Sequence, residues 1–197
     1  MAVLVGKEAP DFKASVVMSD GSVKGDFQFR KQTEGKMTVL FFYPLDFTFV
    51  CPTEILALND KIKEFEDRGV EVYTVSVDSV YTHIAYRNTS LKEGGIGSIK
   101  IPMISDLTRQ IATEYDVLVN NSVAFRATFL IDQKGVVRHQ TVNDLPLGRN
   151  ISEILRVVDA LQFHQQHGDV CPANWNKGDE SIKATKESVS GYLAKRA

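Results

Sequence analysis

The stretch MTVLFFYPLDFTFVCPTEILALNDKIKEFEDRG, Met37 to Gly69, decides the fold. Met37 to Pro44 is a short, continuous apolar run closed by proline, which predicts a strand buried on both faces. From Pro52 onward, Ile55, Leu58, Ile62 and Phe65 recur at helical spacing, and Gly69 ends the pattern, so a helix is predicted over 52–69. The next segment, VEVYTVSVD (Val70 to Asp78), is β-branched and strand-like. Strand, helix and buried strand in succession predict a parallel unit with the helix on one face of a sheet.

Outward from this unit the pattern continues. A weaker helix is predicted from about Val80 to Asn88, followed by a Gly-rich, Lys-containing loop from Leu91 to Ile101. Asp106 is a plausible N-cap for a helix with Leu107, Ile111 and Tyr115 on one face. FRATFLI and VVRHQTV flank the turn signal DQKG and predict a hairpin. The last long helix, NISEILRVVDALQFHQQHG, is capped by Asn150, faces Ile154, Leu155, Val158 and Leu161 inward, and stops at Gly168. The order is β-α-β-α-(α)-β-β-α after an irregular start. Parallel strands first and a hairpin second fit an α/β thioredoxin-like sheet better than a doubly wound one. The expected division is a domain over 1–168 and a polar, amphipathic C-terminal arm over 169–197.

The bulk numbers agree with one such domain. A chain of 197 residues with 43% hydrophobic residues buries a core without needing a metal or disulfides. Its net charge of −2 favours neither nucleic acid nor an anionic membrane. No run approaches the roughly 18 apolar residues of a membrane-spanning helix. No basic region followed by a long apolar stretch opens the chain, so a cytoplasmic location is expected. In a reducing compartment a disulfide is usually transient and catalytic. That bears on the two cysteines, Cys51 and Cys171, each of which lies in the tripeptide Val-Cys-Pro.

Cys51 falls after a buried strand and at the mouth of a helix. Pro52 suits the first helical position, because its missing N–H would have no partner there. The unpaired amides and positive dipole end of a first turn favour thiolate, lowering a cysteine pKa by about one unit or more from ~8.5. Taken alone, the same residue reads more readily as a small buried hydrophobe. The pattern P-x-x-x-T-x-x-C, formed by Pro44, Thr48 and Cys51, favours the nucleophile.

FFYPLDFTFVCPTE resembles the active-site segment of the peroxiredoxins, and specifically the typical two-cysteine class that includes the alkyl hydroperoxide reductase peroxidase component. RATFLID, NDLPLGR, GDVCPANW and GGIG resemble family segments in the same order, so the resemblance covers essentially the whole chain. It implies a thiol-dependent peroxidase acting on hydrogen peroxide and organic hydroperoxides. In that scheme Cys51 is the attacking cysteine, Thr48 contacts sulfur and peroxide, and Pro44 shields the thiolate from water. Arg126 completes the site from a neighbouring strand, and Glu54 and Arg149 orient it. Charge moving from sulfur across the O–O bond needs donors already in place, and a guanidinium offers several in a fixed fork. Tyr43 also matches a family position, where packing is its simpler role.

Cys171 matches the resolving cysteine, with Trp175 packing nearby. A sulfenic acid at Cys51 condenses with such a thiol to a disulfide, and without it further peroxide drives the sulfur to sulfinic acid. The resemblance implies that the bond joins two subunits of a homodimer, that dimers assemble into a ring, commonly a decamer, and that thioredoxin or a dedicated flavoprotein disulfide reductase restores the thiols. Spacing alone leaves an intrachain bond equally open. Gly94 to Gly97 with Tyr192 and Leu193 resembles the GGLG and YF pair of overoxidation-sensitive members, Ile96 and Leu193 standing for Leu and Phe. There is no C-x-x-C, and GGIG lacks the dinucleotide pattern. The pair His164 and His167 reads as solvated surface, so no cofactor and no metal are expected. A redox-regulated holdase chaperone or peroxide sensor, and a general disulfide oxidoreductase, are the rival readings.

Overall fold

The computed structural model describes residues 2–195, in two compact units that divide between Ile151 and Ser152. The first unit opens with strands β1 (Lys13–Val17) and β2 (Val23–Gln28) and a short helix α1 (Phe29–Thr33). Then come β3 (Met37–Phe42), α2 (Cys51–Asp60), α3 (Ile62–Glu66), β4 (Val70–Ser76) and α4 (Val80–Asn88). It continues through β5 (Met103–Ser105), α5 (Gln110–Glu114), the small pair β6 (Leu118–Val119) and β7 (Val123–Ala124), and the hairpin β8 (Arg126–Ile131) and β9 (Val137–Asn143). The second unit carries nearly all of α6 (Ile151–His167) and, near the chain end, α7 (Lys186–Ala194).

Seven strands form one mixed sheet in the order β2-β1-β5-β4-β3-β8-β9. β3 lies parallel to β4 and antiparallel to β8. All six of its residues are buried, as the unbroken apolar run requires of a strand covered on both faces. Successive side chains alternate between the faces. Phe42 enters an aromatic cluster, 5.2 Å from Tyr115 and 5.8 Å from Phe129 between ring centroids. Phe41 turns to the other face, where the reactive residues gather. This is the expected thioredoxin-like arrangement: parallel β3 and β4 followed by an antiparallel hairpin.

Several elements differ from expectation. The irregular start contains a hairpin and a helix. β2, VKGDFQ, is exposed at four of its six positions at the sheet edge, so its apolar signal is thin. β5 has three residues, too few to show a period. The helix expected over 52–69 breaks at Lys61 (φ −101°, ψ 5°), whose N–H reaches back to Leu58 at 3.2 Å and tightens the turn. Asp106 does not directly precede a helix. The chain makes another turn through Arg109 (φ 62°), and the Asp106 carboxylate reaches across it to accept from the amides of Ile111 (3.0 Å) and Ala112 (2.8 Å). Leu107 therefore stays outside, while Ile111 and Tyr115 are buried.

Candidate active site

The sheet register builds the site. Phe41 pairs with Thr128, and extending that antiparallel register by two residues sets Arg126 opposite Tyr43, past the end of β3. The chain leaves β3 through Tyr43 and the buried Pro44, crosses the loop to Val50, and enters α2 with Cys51 as first residue and Pro52 as second. Cys51 is completely buried. The Arg126 Nη1 donates to its sulfur at 3.4 Å.

Arg126 is fixed on three sides. Its Nη1 also donates to Glu54 Oε2 at 2.8 Å, and its Nε donates to the Leu145 carbonyl at 2.6 Å. Glu54, one turn into α2, also accepts from Arg149, which is clamped in turn by the Ala127 carbonyl at 2.7 Å and stacked 3.3 Å above the Phe41 ring. These side chains are nearly inaccessible: 2% exposure for Glu54, 5% for Arg126 and 3% for Arg149. Burial alone would raise the Glu54 carboxyl, but Arg149, through its hydrogen bonds and charge, outweighs it and holds Glu54 below the ordinary carboxylate range. Two arginines share one carboxylate, so net positive charge remains beside the Cys51 sulfur. Gly148 packs closely against the head of α2, since a Cβ there would lie 3.3 Å from Val50 Cγ1.

Cys51, Arg126, Glu54 and Arg149 thus come together in one hydrogen-bonded cluster, and Pro44 is buried on the loop that leads to Cys51. Thr48 is half-buried on the same loop, and its hydroxyl donates to the Leu45 carbonyl at 2.8 Å, which leaves its oxygen lone pairs as acceptors. Cys171 lies in the second unit, partly buried, its thiol donating to the Ala160 carbonyl at 3.6 Å. Both cysteines are free thiols. Ile96 of the GGIG loop is buried and its amide donates to Tyr86 O at the end of α4, whereas Tyr192 and Leu193 sit on α7.

A second layer was not anticipated. The Tyr43 hydroxyl donates to Asp46 Oδ1 at 2.6 Å, His83 Nδ1 lies 2.7 Å from Asp46 Oδ2, and the Asp46 amide donates to Asp78 at 2.9 Å. Burial, and then the Asp46 charge, push the Asp78 carboxyl up. Carboxylate oxygens of Asp46 and Asp78 and a ring nitrogen of His83 lie within 4.8 Å of one another and are joined in this hydrogen-bonded network, which anchors the loop leading to Cys51. The signal available was a histidine and two acids flanking apolar strands, since such groups are buried only with partners. Tyr43 does more than pack.

A buried thiol at the head of a helix, on a thioredoxin-like sheet and under a fixed guanidinium, defines the class of thiol peroxidases. Residues 5–140 match the AhpC/TSA family, and residues 160–195, which include Cys171, match the C-terminal domain of 1-Cys peroxiredoxin. An alkyl hydroperoxide reductase C of Buchnera aphidicola subsp. Schizaphis graminum is 48% identical over 98% of both chains. Peroxiredoxin-2 of Macaca fascicularis is 49% identical over 97% of this chain and 96% of its own. The crystal structure of reduced Plasmodium vivax 2-Cys peroxiredoxin superposes with a TM-score of 0.95 at 50% identity, covering 98% of this chain and all of the other. The chain belongs to the AhpC/TSA family and is a peroxiredoxin, a thiol peroxidase.

Proposed function

We propose that Cys51 is the peroxide-attacking cysteine, and that the observation carrying this role is the Arg126 Nη1 held 3.4 Å from its buried sulfur. The thiolate displaces one oxygen of hydrogen peroxide or an organic hydroperoxide. The S–O bond forms as O–O breaks, and the leaving oxygen departs as water or an alcohol once protonated. Arg126 stabilises first the thiolate and then the charge spreading onto the peroxide, with no reorganisation because Glu54 and Leu145 already hold it. Glu54 and Arg149 are positioning residues for that fork. Thr48, whose proton is committed to Leu45, accepts the peroxide O–H and aligns the substrate. Pro44 keeps water from the sulfur and brings no N–H of its own.

Cys171 then resolves the sulfenic acid as a disulfide between subunits of a homodimer. Residues 169–197 act as the arm that delivers it, beyond a peroxidase domain over 1–168. Dimers join into a ring, a decamer, and thioredoxin or a flavoprotein disulfide reductase returns the electrons in the cytoplasm. Among the described residues no helix is long and apolar enough to cross a membrane.

The test is stopped-flow consumption of hydrogen peroxide by fully reduced protein, followed by non-reducing gels. Wild type should react fast and give a disulfide-linked dimer. Cys171→Ser should react once without the dimer, and Cys51→Ser should not react. A wild-type rate no faster than that of free cysteine sinks the assignment and favours the holdase or sensor reading.

A further inference from the structure

In the second unit the chain retraces α6 after it ends. The Asp169 carbonyl meets His164 Nδ1 at 2.8 Å, the Cys171 thiol meets the Ala160 carbonyl at 3.6 Å, and the Trp175 carbonyl accepts from Arg156 Nη1 at 2.8 Å. Cys171 and Trp175 are four residues apart, and so are their partners Ala160 and Arg156, which stack one turn apart on a single helix face. The returning segment is pinned at its far end by Trp175. That ring is buried, lies 5.0 Å from Phe163, and donates its Nε1–H to the Asp179 carbonyl at 3.0 Å. Glu153 grips the Arg156 guanidinium from the other side, at 2.6 Å to Nε and 2.8 Å to Nη2.

We propose that Arg156 is a positioning residue for the resolving step: it ties the segment following Cys171 to α6 and keeps a fixed positive charge in electrostatic reach of the Cys171 sulfur. The proposal rests on the reading of Cys171 as the resolving thiol. In that step the Cys171 thiol gives up its proton, and its electron pair forms the S–S bond to the sulfenic sulfur of Cys51. Hydroxide leaves that sulfur and is protonated to water. Cys171 is oxidised, the Cys51 sulfur passes from sulfenic to disulfide level, and no further oxidant is needed.

Two influences oppose that ionisation. Burial pushes the thiol up, and its hydrogen bond to Ala160 O holds the proton. Among the described residues, Arg156 is the charge that acts against burial at this sulfur. The acids of the neighbouring segment are engaged elsewhere, Asp169 with the Ser181 hydroxyl and Asp179 with the Asn176 amide, while Glu153 is spent on Arg156 itself. His164 is turned to the Asp169 carbonyl.

The experiment has two parts, both on the full chain. In a Cys51→Ser background, Cys171 is alkylated with iodoacetamide across a pH series, with Arg156, Arg156→Gln or Arg156→Lys. Gln should raise the midpoint by about half a unit to one unit, and Lys, which keeps the charge, should leave it near the parent value. With Cys51 present, the rate of disulfide formation after one equivalent of hydrogen peroxide should fall about three- to tenfold for Arg156→Gln at neutral pH, with more sulfinic acid under excess peroxide. An alkylation midpoint that does not move in Arg156→Gln overturns the proposal, and the Lys variant separates lost charge from lost folding. If the parent protein forms no Cys51–Cys171 disulfide, the resolving role of Cys171 fails, and the alkylation series still judges Arg156 independently.

Discussion

Arg149 holds Glu54 with three nitrogens: its backbone N–H and its Nε donate to Oε1, each at 2.8 Å, and its Nη2 donates to Oε2 at 3.0 Å. This grip leaves Glu54 Oε2 aimed at Arg126, so the arginine on the sulfur is positioned by a carboxylate that is itself immobilised. The two buried cations depend on this one anion for their counter-charge.

Removing the anion should therefore hurt both stability and rate. Glu54→Gln should lower stability by about 3–5 kcal/mol, since it leaves two buried guanidinium groups without their counter-charge. The pH dependence has a defined sign. The Glu54 carboxyl is held below its ordinary 4.5, so its contribution is complete above that value and fades as the pH falls through the lower folded value. Urea melts between pH 7 and pH 3 should show an acid-side loss in wild type that is smaller in Glu54→Gln.

At Arg126, charge and geometry separate. Arg126→Met should slow the peroxide step about 10²- to 10³-fold, the usual effect of deleting one preset donor to developing charge. Arg126→Lys keeps the charge but cannot bond sulfur, Glu54 and Leu145 at once, and should recover only part of the loss. Single-turnover rates, with circular dichroism as a check on folding, decide this.

Alkali should act through tyrosines. Burial raises Tyr43, Tyr73, Tyr86 and Tyr115 above the ordinary 10.0, with Asp46 adding to the effect at Tyr43. Their stabilisation is complete below pH 10 and is lost as pH climbs toward the folded values. Ultraviolet titration should show a tyrosinate component that appears only together with unfolding, and Tyr43→Phe should reduce it. The same change leaves Asp46 without its 2.6 Å donor and should cost about 1–2 kcal/mol.

Gly95 is fixed by close approach. A Cβ there would sit 2.1 Å from the Thr89 carbonyl oxygen, where the loop folds back on the end of α4. Gly95→Ala should lower stability by about 2–3 kcal/mol, by displacing the Gly95–Ser90 and Gly97–Thr89 hydrogen bonds. A thermal midpoint within a degree of wild type would refute this.

What the sequence determined by itself was local. The buried run of β3, the placement of Cys51 at the head of α2, and α4 over Val80–Asn88 follow from apolar periodicity and from which residue types satisfy helix ends, and both act within a few residues. Naming Arg126, Glu54 and Arg149 required the family resemblance, because nothing local distinguishes them from surface charges. Only the tertiary structure decided their contacts, which join residues 72 to 95 positions apart. The register of β8 on β3 delivers Arg126 to the sulfur, and desolvation then requires each buried charge to find its partner. The same holds for Asp46, His83 and Asp78. Their pairing arises where β3, β4 and α4 converge, a meeting set by sheet packing that no window of sequence contains.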